Sequence, residues 1–249
     1  MIRASVIPLL LAPIAFAQPD PVIEKAREAA DSFAQTLPNY FCQQVTTRFV
    51  SATRAMRWRQ VDVISAEVIY ENGREHYRNV TLSGRPVKRG MEELGGAWST
   101  GEFGTQLWDL FTPKTAAQFA LRKEASSHGV TVAIYDYQVQ RANSHWGLMV
   151  GDKLVYTNYE GSVWIEKESG RVLRLERRAY NVPREIQLDK VDTAISYEYV
   201  RIGSAQRFLL PARSEMVLCQ RGSNNCNKNE IDFRSYRKYS GEASISFDQ

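Results

Sequence analysis

The sequence predicts a mainly β protein with helices (α+β), built on an antiparallel sheet of sandwich or barrel-like form. Three observations predict it. About ten short runs rich in β-branched and aromatic residues are separated by frequent turn signals. One segment of helical period precedes them all. The β pattern then breaks between Met91 and Ala125, where a second helical stripe stands.

Asp20 can cap a helix that has Pro21 at its first position. Val22, Ala26, Ala29, Ala30, Phe33, Ala34 and Leu37 then fall on one face at helical spacing. Pro38-Asn39 ends it. The polar face carries Glu24, Arg27, Glu28 and Asp31, so it lacks the basic character of a membrane-surface helix. It is expected to pack on a sheet.

Strand character follows from Tyr40 to Phe49 and from Trp58 to Tyr70. Asn72-Gly73 and Ser83-Gly84 supply the next turns. In the interrupted stretch, Ser99 and Glu102 fit a capping box, and Phe103, Leu107, Leu110 and Phe111 form a stripe. Thr112-Pro113 is expected to restart a second short helix carrying Ala116, Phe119 and Ala120, which makes a helical insert of about 99–122. Strands resume at 130–140, where Ala133, Tyr135, Tyr137 and Val139 share a face. They continue through Trp146–Val150, Leu154–Tyr159, Thr193–Ile202, Phe208–Leu218, Glu230–Tyr239 and Ala243–Phe247.

The clearest hairpin is Gly161–Glu176, folded at Glu168-Ser169-Gly170. Val163 and Ile165 alternate with Trp164 and Glu166, and Leu173 and Leu175 alternate with Arg174 and Glu176. One face is therefore expected to be apolar and the other wet.

The first residues give an address. Met1-Ile2-Arg3, the apolar run from Ser5 to Ala15, and Ala15-Phe16-Ala17 form the three parts of a cleaved export signal, residues 1–17. A periplasmic or secreted location is expected. Removing 17 of the 249 residues leaves 232 with 31 basic against 28 acidic side chains, a balance of +3. No basic stripe points to nucleic acid. No apolar stretch of spanning length remains, so no integral membrane segment is expected after the signal is removed. No linker or repeat divides the remainder.

Three cysteines allow three pairings. Cys219 and Cys226 bound a hairpin tip and are the easiest to close, while Cys42 beside Phe41 reads as a buried small hydrophobe. The spacing is not that of a zinc site. His76, His128 and His145 are scattered, and neither a metal nor a cofactor is indicated. The sequence contains no Gly-x-Ser-x-Gly elbow, no His-Glu-x-x-His, no phosphate loop and no dinucleotide fingerprint. Arg177 and Arg178 are adjacent on a strand and point to opposite faces, so they do not act together on an anion. Asn79-Val80-Thr81 matches a glycosylation sequon, a common pattern.

The aromatic residues are the suggestive feature. Packing accounts for most of them. The sharper reading is a concave hollow under a helical lid, suited to acyl chains or another apolar segment. Its candidate ligand-binding residues are Trp58, Trp98, Phe103, Leu107, Tyr135, Tyr137, Trp164, Leu173 and Leu175, with Trp98 in its glycine-rich loop as the lid candidate.

Gly161-Ser-Val-Trp-Ile-Glu166 with Ser169-Gly-Arg-Val-Leu-Arg-Leu175, together with Phe208-Leu-Leu-Pro211, resembles the periplasmic lipoprotein carrier and receptor superfamily (LolA/LolB/RseB-like). Glu166 stands where that hairpin usually has Asp, and the Met91–Ala125 insert and the Cys219/Cys226 pair depart from it. The resemblance implies a curved antiparallel sheet forming an unclosed barrel, with the N-terminal helix and the insert over its hollow. It implies one half-barrel domain over 18–249 and a role in handling lipid or lipoprotein.

Three functions follow as expectations. The first is an envelope protein that binds a lipid, a lipoprotein acyl chain or another apolar ligand without catalysis. The second is an interaction module for another envelope protein, with no lipid held. The third is a hydrolase of envelope material, whose two facing carboxylates the sequence does not single out.

Overall fold

The computed structural model describes residues 20–239, apart from 54, 72–73, 89, 95–102, 128, 151–152 and 204–206. The export signal, the Ser99/Glu102 capping box, Trp98, the Asn72-Gly73 turn and the Ala243–Phe247 strand therefore lie outside the described residues.

Helix α1 runs Pro21–Thr36. The Asp20 carboxylate accepts from the Val22 backbone N–H at 2.9 Å, and Leu37 leaves the helix in an extended conformation before Pro38. Ile23, Ala26 and Ala30 are buried on its inner side. The alanines let the helix lie close to the sheet, which a row of leucines would prevent.

Thirteen strands follow among the described residues: β1 (Tyr40–Ser51), β2 (Arg59–Glu71), β3 (Arg74–Leu82), β4 (Arg85–Pro86), β5 (Gln118–Ser127), β6 (Val130–Val139), β7 (Gly147–Val150), β8 (Lys153–Tyr156), β9 (Asn158–Glu166), β10 (Val172–Tyr180), β11 (Leu188–Arg201), β12 (Arg207–Gln220) and β13 (Cys226–Lys238). Eleven make one sheet in the order β4-β3-β2-β1-β13-β12-β11-β10-β9-β6-β5, and β7 and β8 form a separate hairpin. Neighbouring strands of the large sheet are antiparallel throughout. β4 and β5 are its two edges, so the sheet does not close into a barrel.

Helix α2, Thr105–Phe111, starts at Gly104, whose φ of 131° is one that only glycine adopts readily. The expected second helix is only a single 3-10 turn, Pro113–Thr115. Ala116 takes a left-handed conformation (φ 46°) that ends it, and Phe119 and Ala120 belong to β5. Pairing of Phe119 with Tyr137 and the stacking of Phe119 on Phe111, with centroids 5.5 Å apart, override the local helical spacing.

The main core lies under α1 and α2. Val163, Ile165, Leu175 and Ile195 are buried there, with Leu107, Leu110 and Phe111 descending from α2. A second cluster gathers Tyr40, Cys42, Val68, Tyr70, Leu210 and Phe233 around Phe103. The α2 segment thus reaches both clusters, Phe103 entering one and Leu107 the other.

Cys219 and Cys226 are joined by a disulfide at the β12–β13 tip, and Cys42 is free and buried. For so short a ring the loop-entropy contribution is about 2.5 kcal/mol. Reduction is therefore expected to lower the thermal midpoint without abolishing folding, because the two strands also pair along their length. Calorimetry with and without a phosphine reductant checks this, and an unchanged midpoint would show that the bridge contributes nothing.

Candidate functional site

Alternation along the central strands sorts their side chains onto two faces. On the covered face of β6, Ala133, Tyr135, Tyr137 and Val139 are all buried, and β9 adds Tyr159, Val163 and Ile165. Of the nine residues singled out in the sequence, Leu107, Tyr135, Tyr137 and Leu175 meet in this core, and Leu173 packs at its margin. The β10 register shifts between Val172 and Arg174, so Val172 is the more buried residue and Leu173 is only half-buried. Phe103 occupies the adjoining cluster.

Trp58 and Trp164 are placed elsewhere. Trp58 packs on the disulfide with Met56, and the Lys228 ammonium lies 5.2 Å from its ring. Trp164 faces the other way from Val163 and carries the Arg174 guanidinium 5.6 Å from its ring centroid.

Two polar contacts fasten α1 at its start. The Tyr135 hydroxyl donates to the Asp20 carboxylate at 2.8 Å, and Arg27 Nε donates to the Phe111 carbonyl of α2 at 3.0 Å. Burial, with Asp20 adding to it, raises the Tyr135 phenol well above its ordinary range. The β9–β10 turn closes against the helix from the other side, where Gly170 abuts the Lys25 backbone.

Beside that turn a cleft of about 400 Å³ opens between α1 and the start of β12. Phe33, Leu37, Phe208 and Leu209 supply apolar surface, and Lys25 and Arg171 are among its charged residues. Glu166, expected on the wet face, is in fact buried. It accepts from the Tyr199 hydroxyl at 2.7 Å and from the Ser169 hydroxyl, because the turn folds back over it.

The most unusual residue in the covered face is Arg177, which is only 6% exposed. Its position, two residues beyond Leu175 and two before Ala179, puts it on the apolar side of β10. That periodicity is in the sequence and could have located it. Its Nε donates to Thr193 Oγ1 at 3.4 Å, its Nη2 donates to Gln106 of α2, and its guanidinium lies 4.5 Å from the centroid of the Trp146 ring. Arg178, its neighbour, is exposed and lies 3.4 Å from Asp192.

The opposite face carries an open groove of about 640 Å³ with Asp136, Glu160, Glu176 and Asp192 among its walls. Three of these carboxylates are ion-paired, to Arg122, Arg174 and Arg178 respectively for Asp136, Glu176 and Asp192. The Arg122 guanidinium, with the Ser162 hydroxyl, holds Asp136 below the usual carboxylate range. A glycosidase acid needs the opposite shift.

No protein-family model matches the chain, and no curated protein does. Among solved structures it is similar to a LolA superfamily protein from Nitrosomonas europaea, at 10% identity over 91% of this chain and 97% of that one, with a TM-score of 0.38. It is also similar to a DUF1329 family protein from Desulfovibrio piger (11% identity, 92% and 96% covered, TM-score 0.42). A third is a domain from Vibrio parahaemolyticus whose name assigns it to outer membrane lipoprotein sorting (14%, 90% and 94%, TM-score 0.43). Each likeness is one of layout. Among the described residues no helix is long and apolar enough to cross a membrane.

Proposed function

We propose that this is an exported envelope protein, cleaved after Ala17, whose 18–249 region forms one half-barrel domain that holds an acyl chain or similar apolar group against the covered face of its sheet. The observation that carries this reading is the cleft of about 400 Å³ beside α1, with Phe33, Leu37, Phe208 and Leu209 lining it. Leu209 belongs to the main core and Phe33 packs against it, so apolar surface runs on from the cleft into the core. The helices cover this face as separate segments, α1 held by Ile23, Ala26 and Ala30, α2 by Leu107, Leu110 and Phe111, and both by a few polar bonds, so one can shift while the strand pairing of the sheet stays intact. Each methylene transferred from water contributes about 0.8 kcal/mol, so part of one acyl chain is enough for useful affinity. Within this reading Leu107, Tyr135, Tyr137, Leu173 and Leu175 back the chain and Phe103 borders it.

Titration of the purified protein with cis-parinaric acid tests the proposal. Saturable fluorescence, reversed by palmitate and lost in Leu209→Arg, is the expected result. Absence of saturable binding, together with no co-purifying lipid by native mass spectrometry, would sink it.

A second reading has its own support. Among the described residues β5 pairs with β6 alone along its ten residues, which leaves one edge of backbone donors and acceptors for a partner strand. In that case the protein is an interaction module of the envelope.

A further inference from the structure

Arg177 is a cation held among apolar side chains, and both of its hydrogen-bond partners, Thr193 and Gln106, are neutral. No carboxylate lies within ion-pair distance of it among the described residues. Removing a charge from water without a counter-charge costs several kcal/mol, and hydrogen bonds to neutral acceptors offset that only in part. The Trp146 ring covers the guanidinium at 4.5 Å and offsets a further share. Asp109, the one carboxylate on α2, does not complete a pair with it. Burial raises the Asp109 carboxyl above its ordinary value, while the charges of His145 and Arg177 act in the opposite sense. His145 is the group that approaches Asp109, at 3.8 Å.

Gln106 belongs to a helix of only seven residues, and its amide oxygen occupies the guanidinium where an anionic oxygen would bind more strongly. The planar fork of an arginine suits a carboxylate or phosphate in particular. Resting on the apolar-ligand reading above, we propose that Arg177 receives the acidic head group of the bound amphiphile, a carboxylate or phosphate oxygen displacing the Gln106 amide. The ligand class is therefore acidic amphiphiles. Neutral lipids of equal chain length are discriminated against, because they leave the guanidinium without a counter-charge.

The test compares cis-parinaric acid with its methyl ester, which share a chain and differ in charge. A hydrogen bond to a charged group is worth roughly tenfold or more in affinity. The wild-type protein should bind the acid at least about tenfold tighter than the ester. Arg177→Met should weaken the acid to the level of the ester and leave the ester unchanged. Gln106→Glu, nearly isosteric, supplies an internal counter-charge and should weaken the acid in the same way, so it carries the test if Arg177→Met fails to fold.

Equal binding of acid and ester by the wild type would overturn this inference and leave the apolar-ligand reading standing. Failure of both probes to bind would overturn both. A preference that survives in Arg177→Met would move the recognition to another cation, such as Arg171 at the cleft, and overturn the assignment. Inorganic phosphate alone provides the last arm. If it raises the melting temperature of the wild type and not of Arg177→Met, the site takes a free anion, and the head-group proposal falls.

Discussion

Gly170→Ala is expected to destabilise the protein by about 3 kcal/mol, well beyond the usual effect of a turn substitution. Two costs combine. Gly170 has φ of 72°, a left-handed conformation that an added Cβ disfavours by roughly 1 kcal/mol. That Cβ would also stand 2.5 Å from the carbonyl carbon and oxygen of Lys25, so α1 or the turn must shift. Neither neighbour is a flexible side-chain end. The turn is further closed by the Gly170 N–H donating to the Glu166 carbonyl at 2.8 Å, which opposes the shift. Gly84→Ala is the control, since its φ is 79° and nothing lies within 4 Å of the added atom. Urea midpoints of the two variants measure the difference. Equal losses would show that the contact between turn and helix is not tight, whereas the expected variant also cleaves faster within α1 under limited proteolysis.

Stability is also expected to collapse on the alkaline side. Burial pushes the Cys42 thiol from 9.0 up to about 12, with a hydrogen bond to Tyr236 opposing only part of the rise. Tyr40 and Tyr236 are raised by burial too, and Tyr159 reaches about 12 for the same reason. The folded state keeps protons that the unfolded chain releases. The stabilisation is therefore complete below about 9, where the unfolded thiol is still protonated, and it is lost as the pH climbs towards 12. The Cys42 difference alone corresponds to about 4 kcal/mol across that window. Urea unfolding at pH 8 and pH 11 should show a drop of several kcal/mol. In Cys42→Ala the drop should begin nearer pH 10, where tyrosines ordinarily titrate. A midpoint that does not move would show that these groups are open to water. The same burial predicts that Cys42 resists thiol reagents in the native protein and reacts once urea is added.

Most of the sheet was legible because strand alternation is a local property. Ala133, Tyr135, Tyr137 and Val139 read as one face from spacing alone, and all four are buried together. The Asp20 cap with Pro21 likewise marked the start of α1, and the tip between Cys219 and Cys226 marked the disulfide. Less of the candidate site could be read. Trp58 and Trp164 carry the same aromatic signal as core residues, yet one packs on a disulfide and the other on an arginine outside the main core. Phe119 shares its helical spacing with α2 and joins β5 because Tyr137 and Phe111 are its neighbours in space. Arg177 was read only as facing away from Arg178, although its spacing from Leu175 and Ala179 could have put it on the apolar side of its strand. Its lack of a paired carboxylate depends on what α2 brings above it.

By itself, the sequence determined most of the strands, the shared face of β6, the capped first helix and the hairpin at Gly161–Glu176, since each depends on neighbours within a few residues. It read the start of β5 as helix, however, and put Glu166 on the wet face. Tertiary structure decided that the sheet stays open between β4 and β5, and that a seven-residue helix seats a glutamine on a buried guanidinium. It also decided that a cleft remains between α1 and β12. These are contacts between residues tens of positions apart, such as Gln106 with Arg177 and Lys25 with Gly170. Local periodicity carries no record of which distant faces meet.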